Sequence, residues 1–166
     1  MVFFVKGLHG GKLFCRAMAA AVLSPARRQI HEQLSEVQLA ALRFIAYHPD
    51  SPLYLLAAGL QISSPAATKL VDRLTARGWV ERQQHPSDRR KWVLVLTDQG
   101  TQVFDSVWRA EAEMFQSVLE SMSPEDRQAL ERGLAAFVES ARTKVERDEI
   151  CLQCGTDLNT TCILHL

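Results

Sequence analysis

Four cysteines hold the most reactive side chains of this 166-residue chain. Three of them, Cys151, Cys154 and Cys162, stand near the end as C-x2-C-x7-C, with His165 three residues further on. A C-x-x-C pair followed by Gly155 has the form of a metal knuckle. Two thiolates close on one ion while glycine lets the backbone turn and donate N–H groups to sulfur. Three cysteines do not complete a tetrahedral site, so the fourth ligand is either His165 or Cys15 near the chain start. Zinc and an iron–sulfur cluster both suit such a set. The competing chemistry is a thiol switch, with Cys151–Cys154 or Cys15–Cys162 closing on oxidation, and a tail without function is the third reading.

A second chemistry lies in residues 63–97, SSPAATKLVDRLTARGWVERQQHPSDRRKWVLVLT. Residues 63–91 hold seven Lys/Arg against three Asp/Glu, a net of +4, whereas residues 98–150 hold six against twelve, a net of −6. The whole chain is neutral, so the asymmetry describes a basic head on an acidic scaffold, suited to a polyanion. Enzyme chemistry finds no support: there is no nucleophile–base pairing, no phosphate-binding glycine loop and no HExxH. His9, His31, His48, His85 and His165 are scattered.

These residues need elements to position them. Ser63 is a good N-cap, Pro65 falls in the first turn, Leu70, Val71 and Leu74 recur at helical spacing, and Gly78 ends the helix as its C′ residue. WVERQQ and KWVLVL then read as two strands separated by His85–Arg90. Upstream, residues 1–11 are expected to lack structure because of the Gly10-Gly11 breaker, and residues 12–23 to be helical. Ser24-Pro25 either kinks that helix or caps a new one through Leu34. Ser35 and Gln38 have capping-box spacing before Leu39, Leu42, Phe44 and Ile45, and His48-Pro49 stops that helix. Ser51-Pro52 starts a short helix, and Gln61-Ile62 turns into the one at Ser63. Two long helices follow, about 98–121 and 123–149. Their faces (Phe104, Trp108, Phe115 and Leu119, then Leu130, Leu134, Phe137, Ala141 and Val145) exceed what a compact head can cover, which points to a second copy of the chain. Trp79, Trp92 and Trp108 are expected to pack in the core and strands.

The predicted fold is mainly α with a small β-hairpin wing, a winged helix-turn-helix with long N- and C-terminal dimerisation helices. Its predicted segments are 1–34 for dimerisation, 35–97 for DNA binding, 98–149 for dimerisation and 150–166 as the Cys-rich tail. The helix start suits a major groove and the hairpin tip a neighbouring minor groove.

From Leu55 to Gly100 the chain, LLAAGLQISSPAATKLVDRLTARGWVERQQHPSDRRKWVLVLTDQG, resembles the MarR (multiple antibiotic resistance regulator) family of transcriptional regulators. The DRR wing and the closing LT-x-x-G segment carry the resemblance, and the flanking helices extend it over roughly residues 25–148. It implies a homodimer whose first, fifth and sixth helices interlock, presenting two heads to successive major grooves of a pseudo-palindromic operator. It makes 63–77 the recognition helix, with Ser63, Ser64, Pro65, Ala66, Thr68 and Lys69 on or near its leading face and Arg73 further along. Ser63 is equally served by capping alone, and Asp72 by orienting neighbouring arginines. Thr68 and Lys69 match positions that reach bases and phosphates. Asp88 and Arg90 match a wing pair in which the carboxylate steers the arginine into the minor groove, with Arg89 and Lys91 as phosphate contacts. Gly59 is an uncommon choice for the family's short helix, and Ala66 and Ala67 bring no hydrogen bonds. Thymine methyl contacts and groove shape then share in readout. Thiol sensing in the family commonly uses a first-helix cysteine, a place Cys15 fits. The implied function is a DNA-binding regulator, expected to repress, whose affinity answers to a metal, a cluster, thiol oxidation or a small-molecule effector.

No stretch approaches the length of a membrane span, and the apolar start is broken by Lys6, His9, Gly10, Gly11, Lys12 and Arg16. The chain is therefore expected to be cytoplasmic, with no membrane partner. The alternative function is a winged-helix module that docks proteins without touching DNA.

Overall fold

The structure, a computed structural model, describes residues 2–30, 34–48, 51–85 and 87–141. Their order is α1 (Val2–Met18), a π-helical turn (Ala19–Leu23), α2 (Ser24–Ile30), α3 (Glu36–Tyr47), α4 (Leu53–Gly59), α5 (Ser64–Ala76), β1 (Val80–His85), β2 (Asp88–Leu96), α6 (Asp98–Glu120) and α7 (Pro124–Ala141). Mainly helical with one two-stranded antiparallel hairpin, this is the winged-helix architecture expected from the sequence. Two compact units cluster separately. One is formed by residues up to Leu34 with Asp105–Ser123, the other by Ser35–Phe104 with the residues from Pro124 on. Among the described residues no helix is long and apolar enough to cross a membrane.

In the first unit the expectation for residues 1–11 is overturned, because α1 begins at Val2 and runs through Gly7, Gly10 and Gly11. A glycine costs a helix about 1 kcal/mol relative to alanine but does not forbid it. The good helix formers around these three, Leu8, Lys12, Leu13, Arg16 and Ala17, outweigh that cost. At Ser24-Pro25 the chain neither stops nor caps a new helix: Ser24 keeps αR geometry, and a π-helical turn leads into α2. Proline has no N–H for the carbonyl four residues back, and the backbone widens ahead of it. Ser24 N–H donates five residues back, to the Ala19 carbonyl. Val22, Ala26, Leu34, Val107, Ala110 and Leu119 are the buried apolar residues of this unit among those described. Leu8, Leu13, Trp108 and Val118 lie exposed.

The second unit carries the head. Ser35 caps α3 as a full capping box: Gln38 N–H donates to Ser35 Oγ at 3.3 Å, and Ser35 N–H donates to Gln38 Oε1 at 3.0 Å. Leu39, Leu42, Phe44 and Ile45 of α3 are all buried, together with Leu56 of α4 and Val71 and Leu74 of α5. Trp79 is buried as expected, but Trp92 is 59% and Trp108 47% exposed, so two of the three tryptophans are not core residues. The period-2 pattern of KWVLVL misleads at Trp92, since a hairpin packed at its foot leaves its outer rungs in solvent. On α7 no residue is buried, and Phe137 is 72% exposed.

Candidate nucleic-acid interface

Helix α5 is held from both ends by local chemistry. Ser63, in extended backbone geometry, accepts the Ala66 N–H on its hydroxyl at 3.4 Å, which is the capping role. At the other end Gly78 takes φ +71, its N–H donates to the Thr75 carbonyl, and Trp79 N–H donates to the Leu74 carbonyl. That is a Schellman termination, open to glycine because a side chain at this φ would be strained. Between the caps Ala67, Leu70, Val71 and Leu74 are buried, and Ser64, Pro65, Ala66, Lys69, Asp72, Arg73 and Ala76 are exposed. The exposed stripe is the face a groove would meet, and neither Lys69 nor Arg73 has an ion-pair partner among the described residues.

Thr68 lies at the flank of this stripe. Half-buried, it donates its hydroxyl to the Ser64 carbonyl at 3.0 Å and lines a lateral groove of about 440 Å³ with Leu53, Arg82, Trp92 and Leu94. Its oxygen keeps acceptor capacity there, at the flank of the exposed stripe rather than on it.

The wing departs from the expected loop. Strand β1 pairs with β2 from Val80↔Leu96 to Gln84↔Trp92, and then the register jumps to His85↔Asp88. Arg89, Arg90 and Lys91 thus belong to β2 and fill the irregularity, not a loop. At the tip His85 Nδ1 accepts the Ser87 N–H at 3.2 Å. Asp88 accepts the Arg90 backbone N–H at 3.1 Å and faces Lys91 Nζ at 3.8 Å. The carboxylate therefore shapes the backbone at Arg90 and leaves its guanidinium exposed, without a partner among the described residues. The side chain of Arg89 lies outside the described residues.

At its foot the hairpin is clamped to α6. Thr97 Oγ1 donates to the Gly78 carbonyl at 2.5 Å and accepts the Gly100 N–H at 3.0 Å, while Thr97 N–H donates to the Trp79 carbonyl at 3.1 Å. Gly100 packs so closely that a Cβ there would lie 1.9 Å from the Trp79 carbonyl oxygen. The LT-x-x-G segment is thus a structural joint between the end of α5, the hairpin and the start of α6.

One tie was not legible beforehand. Asp72 pairs not with adjacent Arg73, which points away by a helical step, but with Arg82 of β1 at 2.7 Å. Only the position of β1 beside α5 could disclose it, because no spacing rule links residues across a helix–hairpin boundary.

The proposed metal set is not assembled within the described residues. Cys15 is exposed on α1, whereas Cys151, Cys154, Cys162 and His165 lie outside the described residues. Among the described residues no three His, Cys, Asp or Glu side chains come together as a metal site.

Comparison with known proteins agrees with this geometry. Residues 34–92 match the model of the MarR family, ending inside the wing. The chain is 27% identical over 123 residues to the uncharacterized HTH-type transcriptional regulator YfiV of Bacillus subtilis, covering 74% of this chain and 77% of that one. It is 28% identical over 98 residues to the transcriptional repressor MprA of Escherichia coli, covering 59% of this chain and 55% of that one. The crystal structure of RV1404 from Mycobacterium tuberculosis superposes with a TM-score of 0.72 at 26% identity, over 86% of this chain and 94% of the other.

Proposed function

Because the chain belongs to the MarR family of DNA-binding transcriptional regulators, we propose that it acts in the cytoplasm as a homodimeric repressor of a pseudo-palindromic operator. The observation that carries the reading is the pair of exposed cations Lys69 and Arg73 on α5, without ion-pair partners among the described residues, together with an exposed Arg90 on the wing. The helix stripe would enter a major groove and Arg90 the flanking minor groove, whose negative potential attracts an arginine. Dimerisation is supported by α7, which buries none of its residues, and by the exposed Leu8, Leu13 and Trp108. Two heads on one two-fold axis then require half-sites about ten base pairs apart.

Gel shift against fragments flanking the gene, repeated across salt, tests the reading. The log–log slope should gain about 0.9 for each phosphate neutralised. A protein that retards no duplex at low salt would be a docking module instead. Within the complex, Arg90→Ala should weaken specific binding by roughly 1–3 kcal/mol. Unchanged affinity at fixed salt would remove the wing from the interface.

The signal input assigned to this regulator is its cysteines, supported by the exposure of Cys15. Metal analysis and a visible spectrum on anaerobically purified protein separate the three chemistries. Zinc without colour indicates a knuckle, iron with sulfide a cluster, and metal-free reactive thiols a redox switch. A metal-free protein whose operator affinity ignores oxidant would take the tail out of the mechanism.

A further inference from the structure

We propose that Asp72 and Arg82 act as a positioning pair that sets the angle of the wing against the recognition helix, so that the two read DNA as one unit. The proposal rests on the DNA-binding reading above. It starts from an oddity, an acid on the exposed stripe of α5 between Lys69 and Arg73, where a phosphate backbone would be expected to lie. An uncompensated carboxylate there would repel DNA. Its charge is instead met by the Arg82 guanidinium at 2.7 Å, a charge-assisted hydrogen bond.

Arg82 stands on β1 opposite Leu94, on the hairpin face that lines the lateral groove with Thr68 and Trp92. Below it, the joint at Thr97 and Gly100 ties the foot of the hairpin by hydrogen bonds, while Val93 and Leu94 are held by burial. Among the described residues the pair is the sole hydrogen bond or ion pair between α5 and hairpin residues 81–95. A two-stranded hairpin is marginally stable alone, so one tie at mid-length has leverage over where Arg90 ends up. The side chains of Arg82 and Asp72 are 43% and 57% exposed, and an exposed pair contributes little to global stability. Its effect should appear in DNA recognition and in hairpin motion, with the melting temperature nearly unmoved.

The sign of one substitution separates this role from plain surface charge. Asp72→Asn removes a negative charge facing DNA, which by Coulomb attraction alone would tighten binding to every duplex. A positioning role makes it weaken binding to operator relative to other DNA. The test compares the protein with Asp72→Asn, Arg82→Gln and the double variant. Each is titrated against a duplex selected from a randomised pool by the unaltered protein, and against its scrambled counterpart at the same salt. Each single change is expected to lower the ratio of the two affinities about tenfold, and the double variant to bind no worse than the weaker single. A ratio unchanged or raised in Asp72→Asn overturns the proposal. So do single effects that multiply, since Arg82 would then be a direct contact independent of Asp72. Amide exchange without DNA supplies a second arm: hairpin residues 82–92 should exchange faster in Asp72→Asn, and unchanged exchange overturns the proposal. That arm stands even if the unaltered protein retains no duplex, a result that would instead overturn the regulator reading.

Discussion

Replacing Gly100 by alanine is expected to destabilise the winged head by about 3 kcal/mol or more. The added methyl would fall 1.9 Å from the Trp79 carbonyl oxygen and 2.8 Å from its carbonyl carbon. Neither neighbour is a side chain that can swing aside. Relief requires moving the backbone at Trp79, whose N–H closes the Schellman turn on Leu74 and whose carbonyl receives the Thr97 N–H. Strain at one point therefore reaches the end of α5, the foot of the wing and the start of α6 together. For a unit of this size such a loss should lower the melting temperature by about 10 °C or more. Gly133→Ala is the control, since nothing lies within 4 Å of a Cβ there. It should be stabilising by about 0.5–1 kcal/mol through helix propensity alone. A Gly100→Ala protein melting within about 2 °C of the unaltered one would mean that α6 does not begin against Trp79.

Reversing both cations of the recognition stripe, Lys69→Glu with Arg73→Glu, should abolish DNA binding while leaving the head folded. Both side chains are exposed and stand opposite the buried Leu70, Val71 and Leu74, so no packing is lost. Two basic contacts removed amount to about 4 kcal/mol, or about a thousandfold in affinity, before the repulsion of the new carboxylates is counted. The corresponding alanine pair should bind more weakly than the unaltered protein but lower the salt slope by only about 2, in proportion to the phosphates released. Fluorescence anisotropy across salt reads both quantities, and thermal melting checks the fold. If the double glutamate variant keeps its affinity, α5 is not the element that meets DNA.

The residues that punctuate the head were legible from the chain because their chemistry is short-ranged. The Ser35–Gln38 capping box, the Ser63 cap, the glycine at Gly78 and the apolar spacing of Leu70, Val71 and Leu74 each act within one or two turns of backbone. Where local rules erred, longer-range or competing terms explain it. Glycines at 7, 10 and 11 read as breakers, yet a cost of about 1 kcal/mol each is outweighed by the helix formers beside them. Trp92 looked like strand packing, because alternation tells which face a residue occupies and not whether anything covers it.

By itself, then, the sequence determined the order of helices, the caps that bound them, the hairpin, and the concentration of positive charge on α5 and the wing. Periodicity and capping are written in residues three or four apart, and charge is simply counted. Only the tertiary structure decided that Asp72 meets Arg82, that Gly100 must lack a side chain against Trp79, and that Asp88 holds the backbone of Arg90 rather than its guanidinium. The first two contacts join residues ten or more positions apart across a change of element. Their partners are chosen by how helix, hairpin and scaffold dock, a property that packing energy sets over the whole head and no local pattern records.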